Sequence, residues 1–267
     1  METPAKILTI AGSDSGGGAG IQADIKAASA LGVYAASAIT AITAQNTVGV
    51  QAVQALDPDL VAAQIRSVLD DIDIGAVKIG MLATAPVAQA VAEALSGFHG
   101  PVVLDPVMVA KSGDPLLADD AVRAILAGLV PRADVLTPNL PEAARLLGIG
   151  VAASEAEAAA QGGELLVLGP RAVLMKGGHA GGDECADLLV TAAGTTAFRA
   201  PRLRTANTHG TGCSLSSAIA AELARGATLT DAVGRAQSWL HGAIAAADAL
   251  SVGKGHGPVH HFHEVWR

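Results

Sequence analysis

The feature that most constrains this chain is the alternation of short, almost wholly apolar runs with longer amphipathic ones. Residues 6–11, 35–43, 76–79, 102–104, 135–137 and 172–175 read as strands apolar on both faces. Between them lie helical stripes. One runs from Ile21 to Leu31 and stops at Gly32, and one follows Asp57-Pro58 through Leu60, Ile65, Val68 and Leu69. Others span 85–95, 142–147 (entered through Pro141) and 153–166, and a further one runs to Leu129 with Asp119 or Asp120 as its cap. Residues 186–191 and 195–200 read as an antiparallel pair around Gly194, and long helices at 212–225 and 230–249 close the chain. Such alternation predicts an α/β fold of three layers, a mainly parallel central sheet with helices on both faces. Ligands in these sheets bind at the carboxyl ends of the strands. Asp105, Asn139, Lys176 and the loop 208–213 all fall just after a strand or just before a helix, so one cleft can collect them.

Composition narrows the function classes. With 267 residues, 51% hydrophobic and 16% charged, the chain can bury a full core. No repeat or low-complexity linker divides it, which predicts a single domain over 1–267. Seventeen Lys plus Arg against 25 Asp plus Glu leave a net charge of −8, with no basic run to bind nucleic acid or an anionic membrane. Phosphate recognition must therefore be local. Aromatics are only 2%, so stacking platforms for bases are scarce. Cys185 and Cys213 are too few for a disulfide framework, and no leader or apolar run of the ~18 residues a membrane span needs is present. The expected compartment is the cytoplasm.

Several motifs carry chemistry. No Walker loop occurs, which excludes P-loop phosphate binding. In Gly16-Gly17-Gly18-Ala19-Gly20 the spacing of Gly16 and Gly18 suits a dinucleotide fingerprint, but the third position is Ile21 and a flexible strand-to-helix turn explains the glycines equally well. Thr208-His209-Gly210-Thr211-Gly212-Cys213-Ser214 is more specific. Glycines leading into a helix let backbone N–H groups converge where the helix dipole favours an anion, and the dipole also favours a thiolate at Cys213. The bland alternative for Cys213 is a small buried residue. Asp105, Asn139 and Glu142 supply hard oxygens for Mg²⁺ and phosphate, although each is also a common helix cap. Lys176, ending a strand before two glycines, can neutralise a transferring phosphoryl group. The histidine-rich tail 255–263 invites a zinc reading, but no carboxylate or cysteine stands at ligand spacing beside it.

Taken together these residues resemble the hydroxymethylpyrimidine/phosphomethylpyrimidine kinases of thiamine biosynthesis, in the ribokinase-like fold. The resemblance rests on Leu8-Thr9-Ile10-Ala11-Gly12-Ser13-Asp14 with the loop 17–24, on Thr40-Ala41 and Ala44-Gln45-Asn46-Thr47, and on Lys78-Ile79-Gly80-Met81-Leu82. It continues through Leu104-Asp105-Pro106-Val107-Met108, Lys111-Ser112-Gly113, Thr137-Pro138-Asn139-Leu140-Pro141-Glu142, Met175-Lys176-Gly177-Gly178-His179, the Gly-Thr-Gly-Cys loop and the tail. It implies ATP-dependent phosphorylation of 4-amino-5-hydroxymethyl-2-methylpyrimidine and then of its monophosphate, with Mg²⁺, in a homodimer. It further implies that Gln45 reads the pyrimidine edge, that Gly12, Asp24, Met81 and Val107 line the pocket, and that Lys176, Asn139, Thr208, Gly210, Thr211 and Gly212 hold ATP phosphates. Asp105 and Glu142 would be the metal carboxylates, and Cys213 would replace the aspartate base of most ribokinase-like enzymes. Ser15 departs from the family pattern, which has proline there, and 149–153 matches no motif. The nearest rival is a pyridoxal kinase, which the Gly-Thr-Gly-Cys loop does not separate; Gln45 and Met81 favour the pyrimidine. A dinucleotide-dependent oxidoreductase rests on the first glycine loop alone. A non-catalytic pyrimidine binder would lack Cys213, Asp105 or Lys176, and all three are present.

Overall fold

Every buried run forms a strand in the computed structural model, which describes residues 3–108, 117–179 and 182–266. The elements in chain order are β1 (Lys6–Asp14), α1 (Gly20–Ala30), β2 (Tyr34–Gln45), β3 (Val50–Ala55), α2 (Pro58–Leu69), β4 (Ala76–Ile79), α3 (Ala85–Ala94), β5 (Val102–Leu104) and α4 (Asp119–Gly128). They continue with β6 (Val135–Leu136), α5 (Leu140–Leu147), α6 (Glu155–Val167), β7 (Ala172–Met175), β8 (Glu184–Thr191), β9 (Gly194–Pro201), α7 (Thr211–Ala224) and α8 (Leu229–Ala245). The nine strands form one sheet in the order β3-β2-β1-β4-β5-β6-β7-β8-β9. The six strands from β2 to β7 in that order pair parallel, while β3, β8 and β9 pair antiparallel at the two edges.

Strand periodicity explains the layers. In β1 Leu8 and Ile10 face one core while Ile7 faces the other; in β4 Val77 and Ile79 oppose Ala76, and in β5 Val102 and Leu104 oppose Val103. The first core takes Val61 and Ile65 of α2, Val87 and Val91 of α3, Ile125 of α4, Leu146 of α5 and Leu165 of α6. The second takes Ala27 of α1, Ala218 and Ile219 of α7, and Ala236 and Trp239 of α8. Alanine at these contacts lets helices approach the sheet closely, as the composition requires.

Three local readings change. Strand β3 does not appear in the sequence pattern because Val-Gln-Ala-Val-Gln-Ala puts its polar residues three apart and the strand is largely exposed. Helix α4 is capped by Ala118 without a side-chain bond, and Asp119 and Asp120 lie inside its first turn. Helix α5 begins earlier than Glu142, at Leu140. Asn139 is its N-cap, accepting from the Glu142 N–H while Glu142 accepts from the Asn139 N–H.

The strand order reverses at β1, from which β2 lies to one side and β4 to the other, all three parallel. This switch point, extended along the carboxyl ends of β4, β5, β6 and β7, is where the fold opens a crevice.

Candidate active site

At the carboxyl end of β5, Asp105 is buried and accepts from the Lys176 ammonium at 2.7 Å and from the Thr137 hydroxyl at 3.2 Å. Lys176 leaves β7 and is joined to Asn139 by a parallel bridge. It also stands 3.8 Å from Glu142 of α5. Burial alone would lower the Lys176 pKa, but Asp105 and Glu142 outweigh it and hold the ammonium above its ordinary value. Burial pushes the Glu142 carboxyl up to about 7, and Asp105 adds to this; Lys176 and the N–H groups of Asn139 and Met108 oppose it. Two carboxylates thus share one lysine.

Helix α7 points its N-terminus at this group. A Cβ on Gly212 would lie 3.2 Å from Lys176 Nζ and 3.6 Å from Asp105 Oδ2, so a side chain there would crowd the ammonium. Gly210 adopts φ +80°, and a side chain there would run into the Gly18 carbonyl at 1.8 Å. The turn 208–213 therefore lies against the first glycine loop, with Thr208, Thr211, Gly212 and Cys213 all partly exposed along it. The Thr211 N–H reaches the Thr208 carbonyl only at 3.4 Å, and the helix dipole favours an anion at this end.

Cys213 lies in that first turn. The sequence expectation of a favoured thiolate is reversed. Burial pushes the Cys213 thiol up to about 11, opposed by Lys78 and the N–H of Gly20 and assisted by Asp24 and Asp105. Desolvation here exceeds the dipole.

Beneath Cys213 lies a second cluster, to which the sequence reading gave only part of a role. Asp24 of α1 is fully buried and forms an ion pair with Lys78 of β4 at 2.8 and 2.9 Å. It also accepts from the hydroxyls of Thr9 and Ser217, the latter at 2.7 Å. Lys78 is wholly buried too; burial would lower its pKa, yet Asp24 and the nearby Cys213 and Asp105 raise it. The signal for Lys78 in the sequence is a lone cation inside the apolar run 76–79.

Toward the β1 and β2 ends lie Gly12 and Gln45, two of the predicted pocket residues. Gly12 faces Met81, whose sulfur would lie 3.0 Å from an added Cβ, and the Met81 carbonyl accepts from Thr40 at 2.7 Å. Val107 follows Asp105 in a tight turn, its N–H bonded to the Asp105 carbonyl. Ser15 bonds both backbone groups of Gln45 at 2.8 Å, so the residue that departs from the family pattern tethers the proposed reader. Asp14 accepts from the N–H groups of Gly16, Gly18 and Ala19 and from His209 at 2.9 Å. Those amides are the ones a dinucleotide pyrophosphate would need, so the first glycine loop is closed by its own aspartate. The segment 111–113 lies outside the described residues.

The tail histidines are engaged separately. His261 pairs with the Ser214 hydroxyl at 2.8 Å, and His256 and His263 face backbone carbonyls. Among the described residues no cluster of three or more His, Cys, Asp or Glu could hold a metal ion. Two hard carboxylates, Asp105 and Glu142, suit Mg²⁺ that keeps most of its waters, and once Glu142 ionises their joint charge exceeds that of Lys176. No helix among the described residues is long and apolar enough to cross a membrane.

An α/β sheet of this order, with a lysine and two carboxylates facing a glycine turn at a helix N-terminus, defines a ribokinase-like small-molecule kinase. Comparison with known proteins narrows the class. The profile of the family described as phosphomethylpyrimidine kinase matches residues 14–260. The hydroxymethylpyrimidine/phosphomethylpyrimidine kinase of Rhizobium meliloti (strain 1021) is 54% identical over 97% of this chain and 98% of its own. The crystal structure of phosphomethylpyrimidine kinase from Clostridium difficile 630 is 43% identical, covers 90% of this chain and 99% of its own, and has a TM-score of 0.80. The ADP complex of Bacillus subtilis pyridoxal kinase is 33% identical, covers 99% of this chain and all of its own, and has a TM-score of 0.91. The chain belongs to the phosphomethylpyrimidine kinase family, as its motifs implied.

Proposed function

We propose that this chain transfers the γ-phosphoryl of ATP to the hydroxymethyl oxygen of 4-amino-5-hydroxymethyl-2-methylpyrimidine, and then to the phosphate of the product, forming the diphosphate used in thiamine biosynthesis. In the first transfer the alcohol oxygen bonds to phosphorus, the bond to the β–γ bridging oxygen breaks, and ADP leaves. The observation that carries this reading is the placement of Lys176 between Asp105 and Glu142, directly against Gly212 at the start of α7.

Each residue has a physical task. The N–H groups of the turn at Gly210, Thr211 and Gly212 hold the transferring phosphoryl, and Lys176 neutralises its charge; Thr208 and Asn139 border the nucleotide phosphates. Asp105 and Glu142 would hold Mg²⁺ through water, and the ion would shield the β- and γ-phosphates. Cys213 in its thiolate form receives the alcohol proton, late, since a largely dissociative transfer leaves the attacking oxygen little activated until bonding is advanced. Gln45 offers a donor and an acceptor to the aminopyrimidine edge, and Gly12, Met81 and Val107 shape its pocket; Asp24, expected there from the sequence, is fully buried against Lys78 and supports the pocket from beneath without touching the ligand. The exposed apolar residues Ile42, Val48 and Val53 around β2 and β3 support a homodimer of single-domain chains.

A second reading, activity on pyridoxal, is favoured by the close superposition on a pyridoxal kinase over nearly the whole chain. A coupled ADP-release assay with the hydroxymethylpyrimidine, its monophosphate and pyridoxal side by side separates the two. Turnover of both pyrimidines at higher kcat/KM than pyridoxal is expected; the reverse order would make pyridoxal the substrate.

A further inference from the structure

Gln45 is held at its backbone by Ser15 and its side-chain amide lies between His209 and Thr43, which leaves open which way the amide faces. Hydrogen-bond counting around it decides this. Burial would raise the Asp14 carboxyl, but His209 and the amides of Ala19 and Gly16 outweigh burial and hold it below the usual carboxylate range. An ionised carboxylate only accepts, so His209 Nε2, 2.9 Å away, must carry hydrogen. Gln45 meets that same Nε2 at 3.3 Å. Two N–H donors repel in that position, whereas a carbonyl oxygen can take the weaker share of the one Nε2 hydrogen, which goes chiefly to Asp14 at the shorter distance.

The other end of the amide agrees. Thr43 Oγ1 is 3.1 Å from the Ser13 carbonyl and 3.1 Å from the far end of the Gln45 amide, and it has one hydrogen. With the amide's NH₂ toward Thr43, the hydroxyl donates to Ser13 and accepts from Gln45. With its oxygen there, one acceptor goes without a hydrogen. Oxygen and nitrogen of an amide are distinguished by this kind of network.

We propose that His209, locked by Asp14, is a specificity-determining positioning residue that holds the Gln45 oxygen toward itself and the Gln45 NH₂ toward Thr43. The proposal rests on the reading that Gln45 recognises the pyrimidine. One amide N–H then remains for a ring-nitrogen acceptor and one oxygen lone pair for an exocyclic amine. A 4-aminopyrimidine presents that acceptor and donor. Its 4-oxo counterpart presents the opposite order, an N–H and a carbonyl, and is refused because the amide cannot turn over. A Cβ on Gly18 would come within 2.3 Å of the His209 ring, so the first glycine loop is shaped to admit this histidine.

The test is the ratio of kcat/KM for 4-amino-5-hydroxymethyl-2-methylpyrimidine to that for its 4-oxo analogue. His209→Phe releases the amide and should lower the ratio at least about tenfold, mainly through KM. His209→Gln, which keeps a donor near the Nε2 position, should restore most of it. Thr43→Val removes the partner at the other end without touching Asp14, and should lower the ratio even if His209→Phe does not fold. A wild-type ratio in Thr43→Val and in folded His209→Phe would overturn the proposal, as would an equal fall in kcat for both substrates, which would assign His209 to proton transfer. Gln45→Leu controls the underlying reading: loss of the ratio in Gln45→Leu alone sinks the role of His209 and keeps Gln45 as reader. Unchanged kcat/KM in Gln45→Leu removes both.

Discussion

Two lysines end up among carboxylates under the same helix, and they are built oppositely. Lys78 and Asp24 are wholly shielded from solvent, one charge against one charge, with the hydroxyls of Thr9 and Ser217 completing the carboxylate. Lys176 keeps 13% of its side chain exposed and faces two carboxylates, one of them with its pKa pushed up to about 7. A balanced, dry pair has no capacity left for a ligand. An unbalanced, partly open group has, once Glu142 ionises, negative charge to offer a cation, and an ammonium to offer a phosphate. Cys213 is near enough to act on both lysines. The first cluster is the floor of the site and the second is its reactive wall.

The largest break in this picture should come at Cys213. General-base assistance is worth about 10² to 10⁴ in rate, so Cys213→Ala should lose kcat within that range, while Cys213→Asp keeps some activity. With the thiol pKa near 11, the thiolate fraction rises about tenfold per pH unit below it. Wild-type kcat should therefore climb from neutral to alkaline pH, and Cys213→Ala should not. Equal profiles would remove the thiolate from the reaction.

Next is stability at the floor. Lys78→Gln leaves Asp24 buried without its counter-ion and should cost about 3 to 5 kcal/mol in denaturant unfolding. The double variant Lys78→Met with Asp24→Leu should recover most of that, because it removes both charges. A loss under ~1 kcal/mol in Lys78→Gln would show that the pair is not structural.

The smaller effect is at the wall. Glu142 has a folded pKa raised above its unfolded value, so the folded protein binds more protons than the unfolded chain between pH 4.5 and about 7. Its contribution is present below pH 4.5 and is lost as pH rises through that window. Stability should fall across it in wild type, less so in Glu142→Gln, and less so with Mg²⁺ added. In the same variant and in Asp105→Asn, the Mg²⁺ needed for half-maximal kcat should rise; full activity of both at low Mg²⁺ would leave these carboxylates as helix and loop caps.

The wall was more legible in the sequence than the floor. Strands β4, β5 and β7 were readable to the residue because buried parallel strands are continuous apolar runs, and Asp105 and Lys176 stand out at or just past the ends of such runs. Asn139 and Glu142 were readable through their spacing, which serves the capping box as well as the chemistry. Lys78 was not, since nothing local says that a lysine in a strand will meet an aspartate 54 residues earlier. The Asp14 to His209 contact spans 195 residues and left no local pattern either. Cys213 was correctly placed at a helix start, but its ionisation depends on burial, which helix position does not disclose. Strand β3 lacked a period to read.

The difference between floor and wall is tested most directly by Lys176→Gln, which keeps a hydrogen-bond donor for Asp105 and removes only the charge. We expect kcat to fall by at least about 10²-fold while the unfolding midpoint moves far less than in Lys78→Gln. A variant with near wild-type kcat and a destabilisation matching that of Lys78→Gln would contradict the account and make Lys176 a second structural lysine.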